Sequence, residues 1–117
     1  MPNFFDLPHE KVFAYQEARK LVASVQDAGI SDSSLRRQAV RAAISTCLNI
    51  AEGCGRAGSA DKARVYAIAR GECCEAAAAL DMALMAGACS REEPARAGAA
   101  HARAVYALIS GLIRRFS

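Results

Sequence analysis

Gly53-Cys54-Gly55-Arg56-Ala57-Gly58-Ser59-Ala60-Asp61 stands between two long runs of helix-forming residues and has the composition of a turn. Each glycine disfavours helix by about 1 kcal/mol relative to Ala, so three within six positions stop the first run. Ser59 is placed to cap the unpaired N–H groups of the second run, and Asp61 falls in its first turn, where the helix dipole favours negative charge. No strand precedes the glycines, so they form a turn and not a phosphate cradle.

Working outward, the run before the turn predicts a helix over 32–53. It opens on the polar cluster Ser31-Asp32-Ser33-Ser34, any member of which suits a cap, and continues through Leu35, Val40, Ile44, Leu48 and Ala51. Ahead of it a helix over 8–28 starts near Pro8, with Asp6 or Leu7 at its entrance, and is stopped by Gly29. Val12, Tyr15, Ala18, Val22 and Val25 form its apolar stripe. After the turn, a helix over 60–87 carries Val65, Ile68, Leu80 and Leu84 and ends at Gly87. The spacing of Ser90 and Glu93 is that of a capping box, with Pro94 in the first turn of a last helix over 91–115. Arg114 and Arg115 there meet the negative end of the dipole.

Nothing in the chain alternates as a strand does, and every connection is short, so consecutive helices lie side by side and antiparallel. The expected fold is all-α, an antiparallel up-down-up-down four-helix bundle formed by one domain over 1–117. Helices of about 20 to 28 residues give rods of about 30 to 40 Å. In the last helix Val105, Leu108 and Leu112 mark one face, while Ile109, Ile113, Phe116 and Tyr106 extend the apolar width. That width exceeds what a thin bundle needs, and it points to an oligomer interface at Tyr106, Ile109, Ile113 and Phe116. Exposure at a frayed terminus is the alternative.

Hydrophobic residues make up 53% of the 117, aromatics only 6%, and Trp is absent, so the core is built from Ala, Leu, Ile and Val. The net charge of +3 divides evenly, with 7 basic against 6 acidic residues up to 58 and 8 against 6 beyond it. Such a balance does not by itself announce a nucleic-acid binder. Five cysteines, Cys47, Cys54, Cys73, Cys74 and Cys89, show no CxxC spacing and read as reduced thiols, most of them small buried hydrophobes. No run reaches the about 20 apolar residues of a membrane span, and no leader pattern opens the chain, so a cytoplasmic protein is expected.

The chemistry-bearing residues are few. Glu72 and Glu75 are spaced i, i+3, but no His follows at ligand spacing, and His9 and His101 lie far apart, so no metal site, cofactor or catalytic residue is assigned. If the two central helices are antiparallel about the turn, facing residues sum to about 116. Arg41 then lies opposite Glu75, and Glu52 opposite Arg64. Arg56 is four residues from Glu52 on the same face. Removing one member of such a pair costs about 3–5 kcal/mol if the other is left buried. Asn49, in mid-helix, reads as a polar specificity residue at an interface, bonded to backbone or to a neighbour.

With Gln38-Ala39-Val40-Arg41-Ala42-Ala43-Ile44-Ser45, Asn49-Ile50-Ala51-Glu52-Gly53-Cys54-Gly55-Arg56, Tyr15-Gln16-Glu17-Ala18 upstream and Ala69-Arg70-Gly71 then Glu75 downstream, the chain resembles a known bacterial family. Its members are four-helix bundles encoded in intervening sequences of 23S ribosomal RNA genes, also called S23 ribosomal proteins. They are similar in fold to the accessory protein of diversity-generating retroelements. The resemblance spans nearly the whole chain, and Asn-Ile-Ala-Glu-Gly is its most specific part. The family often has Pro at the position of Cys47 and Ser at that of Glu72. The resemblance implies a homopentamer around a central channel and an association with nucleic acid.

Two functional expectations of different classes follow. In the first, a non-enzymatic homo-oligomeric scaffold contacts structured RNA or DNA through Arg36, Arg37 and Arg41 on one helix and Arg56, Lys62 and Arg64 at the turn. In the second, the chain is purely a protein-interaction module that docks a partner protein, and these cations are a solvated face offset by acids.

Overall fold

The computed structural model describes residues 7–117. A short 3-10 turn, Pro8–Lys11, precedes four helices: α1, Phe13–Asp27; α2, Ser33–Gly55; α3, Ser59–Met85; and α4, Glu92–Phe116. Each helix packs on its chain neighbours, and α1 closes the bundle against α4. The expected four-helix bundle is the fold observed.

α1 is the element that departs most from its sequence reading. A helix over 8–28 was expected, but Val12 takes an extended conformation (φ −86°, ψ 123°) and separates the 3-10 turn from a 15-residue α1. His9, on the turn, sets its ring edge-on to Tyr15 at 4.6 Å, and Val12 itself packs against the core. Leu7 precedes the turn without any side-chain cap, and Asp6 lies outside the described residues.

Caps explain the other boundaries. Asp32 is the member of the polar cluster that caps α2, its Oδ1 accepting from the Leu35 N–H at 2.9 Å. Ser59 is the first residue of α3 and not its cap; Gly58 holds the cap position, with no side chain to offer. The capping box of Ser90 and Glu93 does not form either. The Ser90 N–H donates instead to Gly29 O at 3.0 Å, so the group the box requires is already bonded, and α4 starts at Glu92 after an uncapped Arg91.

That bond belongs to a seam between the α1–α2 and α3–α4 connections. Ser31 N–H donates to Ala88 O at 2.8 Å, Arg91 N–H to Ala28 O at 3.1 Å, and Ile30 and Cys89 form an isolated antiparallel bridge. Gly29 (φ 62°) and Gly87 (φ 66°) let both connections turn there in the left-handed conformation that other residues resist. The seam holds one end of the bundle, and the α2–α3 turn forms the other.

Small side chains set the helix spacing. Ala14, Ala18, Ala39, Ala42, Ala43, Ala69 and Ala76 are all buried, with Leu21, Ile50, Leu80 and Ile109 the largest groups fully enclosed among them. At Gly98 of α4 a β-carbon would come within 2.9 Å of Leu80 Cδ1 and 3.1 Å of Ser24 Cβ, so α1, α3 and α4 meet there only because the side chain is missing.

This packing corrects the reading of α4. Val105 and Ile109 lie wholly inside the bundle, and Leu112, Ile113 and Phe116 pack against its core. The apolar width is therefore used mostly within one chain, where the end of α4 covers the start of α3. Of the four residues assigned to an oligomer interface, only Tyr106 is exposed, at 45%.

Candidate functional site

The residues singled out by sequence converge on the α2–α3 hairpin, and ion pairs explain most of their placement. Arg41 of α2 bridges two carboxylates of α3, Glu75 through Nη2 and Glu72 through Nη1 at 3.2 Å. The Arg41–Glu75 pairing is the one expected from the turn register. Glu72 supplies a second acceptor. The cluster is exposed enough that water screens it, so its members do not carry the penalty of a buried charge.

At the turn Glu52 takes one of the two arginines that the sequence places near it and not the other. Glu52 pairs with Arg56 one helical turn away, and Arg56 Nη1 also reaches Asp61 Oδ2 at 3.2 Å. Arg64 does not reach Glu52: its Nη2 and Nε donate to Asp61 Oδ1 at 2.9 and 3.1 Å. Asp61 lies one turn from Arg64 on the same helix, which makes the local pair easier to form than the interhelical one. The hydrogen bond from Arg64 leads in holding the Asp61 carboxyl below its ordinary range.

Lys62 acts on backbone. Its Nζ donates to Cys54 O at 2.8 Å and Gly53 O at 3.2 Å, two carbonyls at the end of α2, and sits 5.6 Å from the centroid of the Phe116 ring. A cation there satisfies acceptors that the helix leaves unpaired and opposes its dipole. Just below, Tyr66 crosses Gly53, so that a β-carbon at Gly53 would come within 2.6 Å of Tyr66 Cε1. The Tyr66 hydroxyl donates to Cys54 Sγ at 3.4 Å, and its ring meets Phe116 at 6.0 Å. Burial leads in pushing that hydroxyl far above its ordinary pKa. The Asn-Ile-Ala-Glu-Gly stretch thus ends on a glycine that admits a tyrosine. Asn49 bonds within its own helix, donating to Ser45 O at 2.9 Å and Ser45 Oγ at 3.1 Å.

Four of the six cations proposed for nucleic acid are therefore engaged with protein acceptors. Arg36 and Arg37 remain, exposed on one stripe of α2 with Ser33, Val40 and Arg41, and neither has an acidic partner among the described residues. Between the two ion-pair clusters runs an apolar row. Ile44 and Leu48 follow Arg41 on its stripe, and Ile68 precedes Glu72 by one turn on α3; they are 40%, 64% and 45% exposed.

Two features escaped the sequence. His101 of α4 and Glu17 of α1, 84 positions apart, meet with Nδ1 and Oε1 at 2.6 Å. This hydrogen bond is the leading cause that lowers the Glu17 pKa, with Lys20 adding to it. The cysteines also differ among themselves: Cys47 and Cys73 are buried, which pushes their thiols to about 11 and about 12, whereas Cys74 is exposed. Cys73 further donates to Ala102 O at 3.3 Å. Among the described residues no three His, Cys, Asp or Glu side chains gather as metal ligands, and no helix is long and apolar enough to cross a membrane.

An alanine-cored four-helix bundle with a braced central hairpin is a small helical protein defined by its surfaces. The chain belongs to the family described as 23S rRNA-intervening sequence protein, whose model matches residues 10–110. No curated protein matches it in sequence.

Proposed function

We propose that the chain is a non-enzymatic helical scaffold whose copies associate with one another. The observation that carries this reading is the row Ile44, Leu48 and Ile68, three large apolar side chains left partly exposed on one side of a small bundle. Aliphatic surface of this kind, bordered by charge, is the mark of an interaction face. A ring of five is the assembly that the family resemblance implies. Static light scattering across a range of concentrations tests association: a mass that is a multiple of 12.4 kDa supports it, and a monomer removes it.

A second reading has its own observation. Arg36 and Arg37 have no acidic partner among the described residues, and repetition around an assembly would multiply them into a surface for phosphates of RNA or DNA. Filter binding with ribosomal RNA fragments at several salt concentrations tests it. Affinity that falls steeply with salt and is lost in the double Ala variant of these arginines supports the reading. Absence of binding at low salt leaves the purely protein-interacting scaffold.

A further inference from the structure

Arg19 of α1 shares the circumstance of Arg36 and Arg37: it is exposed and has no acidic partner among the described residues. The faces of α1 give its direction. Glu17 meets His101 and Ser24 lies against Gly98, so that stripe of α1 is turned to α4. Tyr15, Arg19, Val22 and Gln26 form the stripe on the other side, where α2 packs. Burial raises the pKa of the Cys47 thiol on α2, and the charge of Arg19 opposes that rise. α2 divides in the same way. Arg41 and Gly53 are turned to α3, where they meet Glu72, Glu75 and Tyr66, while Arg36, Val40 and Cys47 lie on the α1 side. Arg37 stands outward between the two.

Three guanidiniums therefore line the α1–α2 flank. They spread over ten residues of α2, from the level of Arg37 to that of Cys47, which is about 15 Å. The acids nearby do not neutralise them. Asp32 is occupied in capping α2, Glu17 is bonded to His101 and Lys20, and Asp27 faces α4. Glu10 and Lys11 of the 3-10 turn cancel. On the α3 side of α2 the balance reverses, because Arg41 meets two carboxylates there. A polyanion is thus drawn to the α1–α2 flank and repelled from the α2–α3 side.

We propose that a nucleic-acid duplex lies along the α1–α2 flank, held at its phosphates by Arg19 together with Arg36 and Arg37. This rests on the phosphate-binding reading given above and adds the third cation and the form of the nucleic acid. A duplex carries one phosphate per about 1.7 Å of its axis, so a 15 Å spread of guanidiniums meets several. Single strands are held by aromatic rings on which bases stack, and this flank presents none. Tyr15 is half-buried with its ring against His9, and the exposed Phe13 lies one turn before Glu17 on the α4 side. Contacts of this kind fix position on the backbone and read no sequence.

Duplex DNA, duplex RNA and a mixed-sequence single strand of equal length are the probes, titrated by fluorescence anisotropy at several salt concentrations. Both duplexes are expected to bind the wild type more tightly than the single strand. Arg19→Ala is expected to weaken duplex binding several-fold at low salt and to lower the slope of log K against log salt for duplex DNA by about 0.9 per chain in contact. Arg103→Ala removes an equally exposed cation from the α3–α4 side and is expected to change neither. Circular dichroism confirms folding, and Arg19→Gln, which keeps the stem, replaces Arg19→Ala if that variant melts early. Wild-type binding that is lost in the Arg36→Ala, Arg37→Ala double variant but intact in Arg19→Ala overturns the α1–α2 flank and leaves the phosphate-binding reading standing. An equal loss in Arg103→Ala overturns it as well, since the attraction is then diffuse, and a tighter single strand overturns the duplex. Wild type that binds none of the probes at low salt removes the reading beneath.

Discussion

Tyr66 of α3 lies across Gly53 of α2 at a distance that leaves no room for a β-carbon. Gly53→Ala gains about 1 kcal/mol of helix propensity but drives the new methyl into a buried ring, and overpacking costs about 1–3 kcal/mol. The variant is expected to be destabilised on balance, by about 1 kcal/mol, in urea melts. Stability equal to or above wild type would show that the tyrosine moves aside freely.

Arg41 and its two carboxylates make a second case in which exposure sets the size of the effect. Removing one partner of a buried pair would cost about 3–5 kcal/mol, but Arg41 and Glu75 are each about half exposed. A double-mutant cycle on Arg41→Ala and Glu75→Ala should therefore give a coupling of about 0.2–1 kcal/mol. A value several times larger would mean that the cluster is enclosed, as it would be inside a tight assembly.

For Glu17 the folded-state pKa lies below the ordinary value of 4.5, so its contribution to stability is present above that value and is lost as pH falls through the lowered one. Thermal melts at pH 6 and at pH 3 should differ less for Glu17→Gln than for wild type. An identical acid loss in the two proteins would remove the His101 hydrogen bond from the account.

Thiol chemistry should follow the same burial pattern. At pH 8 iodoacetamide is expected to label Cys74 first, with Cys47 and Cys73 protected by burial and raised pKa until the protein unfolds. Peptide mass spectrometry reads this directly. Early labelling of Cys73 would mean that the α3–α4 contact opens readily.

The legible and illegible parts of this molecule divide by range. Helix ends governed by nearby residues could be read, as at Gly29, Gly87 and the Asp32 cluster, and so could the Arg41–Glu75 pair, because a short turn sets the register. Features that depend on distant chain could not. Ser90 has the spacing of a capping box, yet its N–H bonds to Gly29, 61 positions earlier. Gly98 of α4 carries no local sign that Leu80 and Ser24 lie against it. The apolar face of α4 looks surplus in sequence for the same reason, since Ile109 is enclosed by helices whose approach no local pattern records. In the candidate site, the type of each cation was plain, but whether it was free depended on partners such as the carbonyls held by Lys62.

A scaffold of this kind depends on whether the bundles come together, and the absolute mass in solution tests that most directly. Light scattering on the purified chain should give a multiple of 12.4 kDa that collapses toward the single-chain value in Leu48→Glu. A wild-type mass of 12.4 kDa at all concentrations would contradict it.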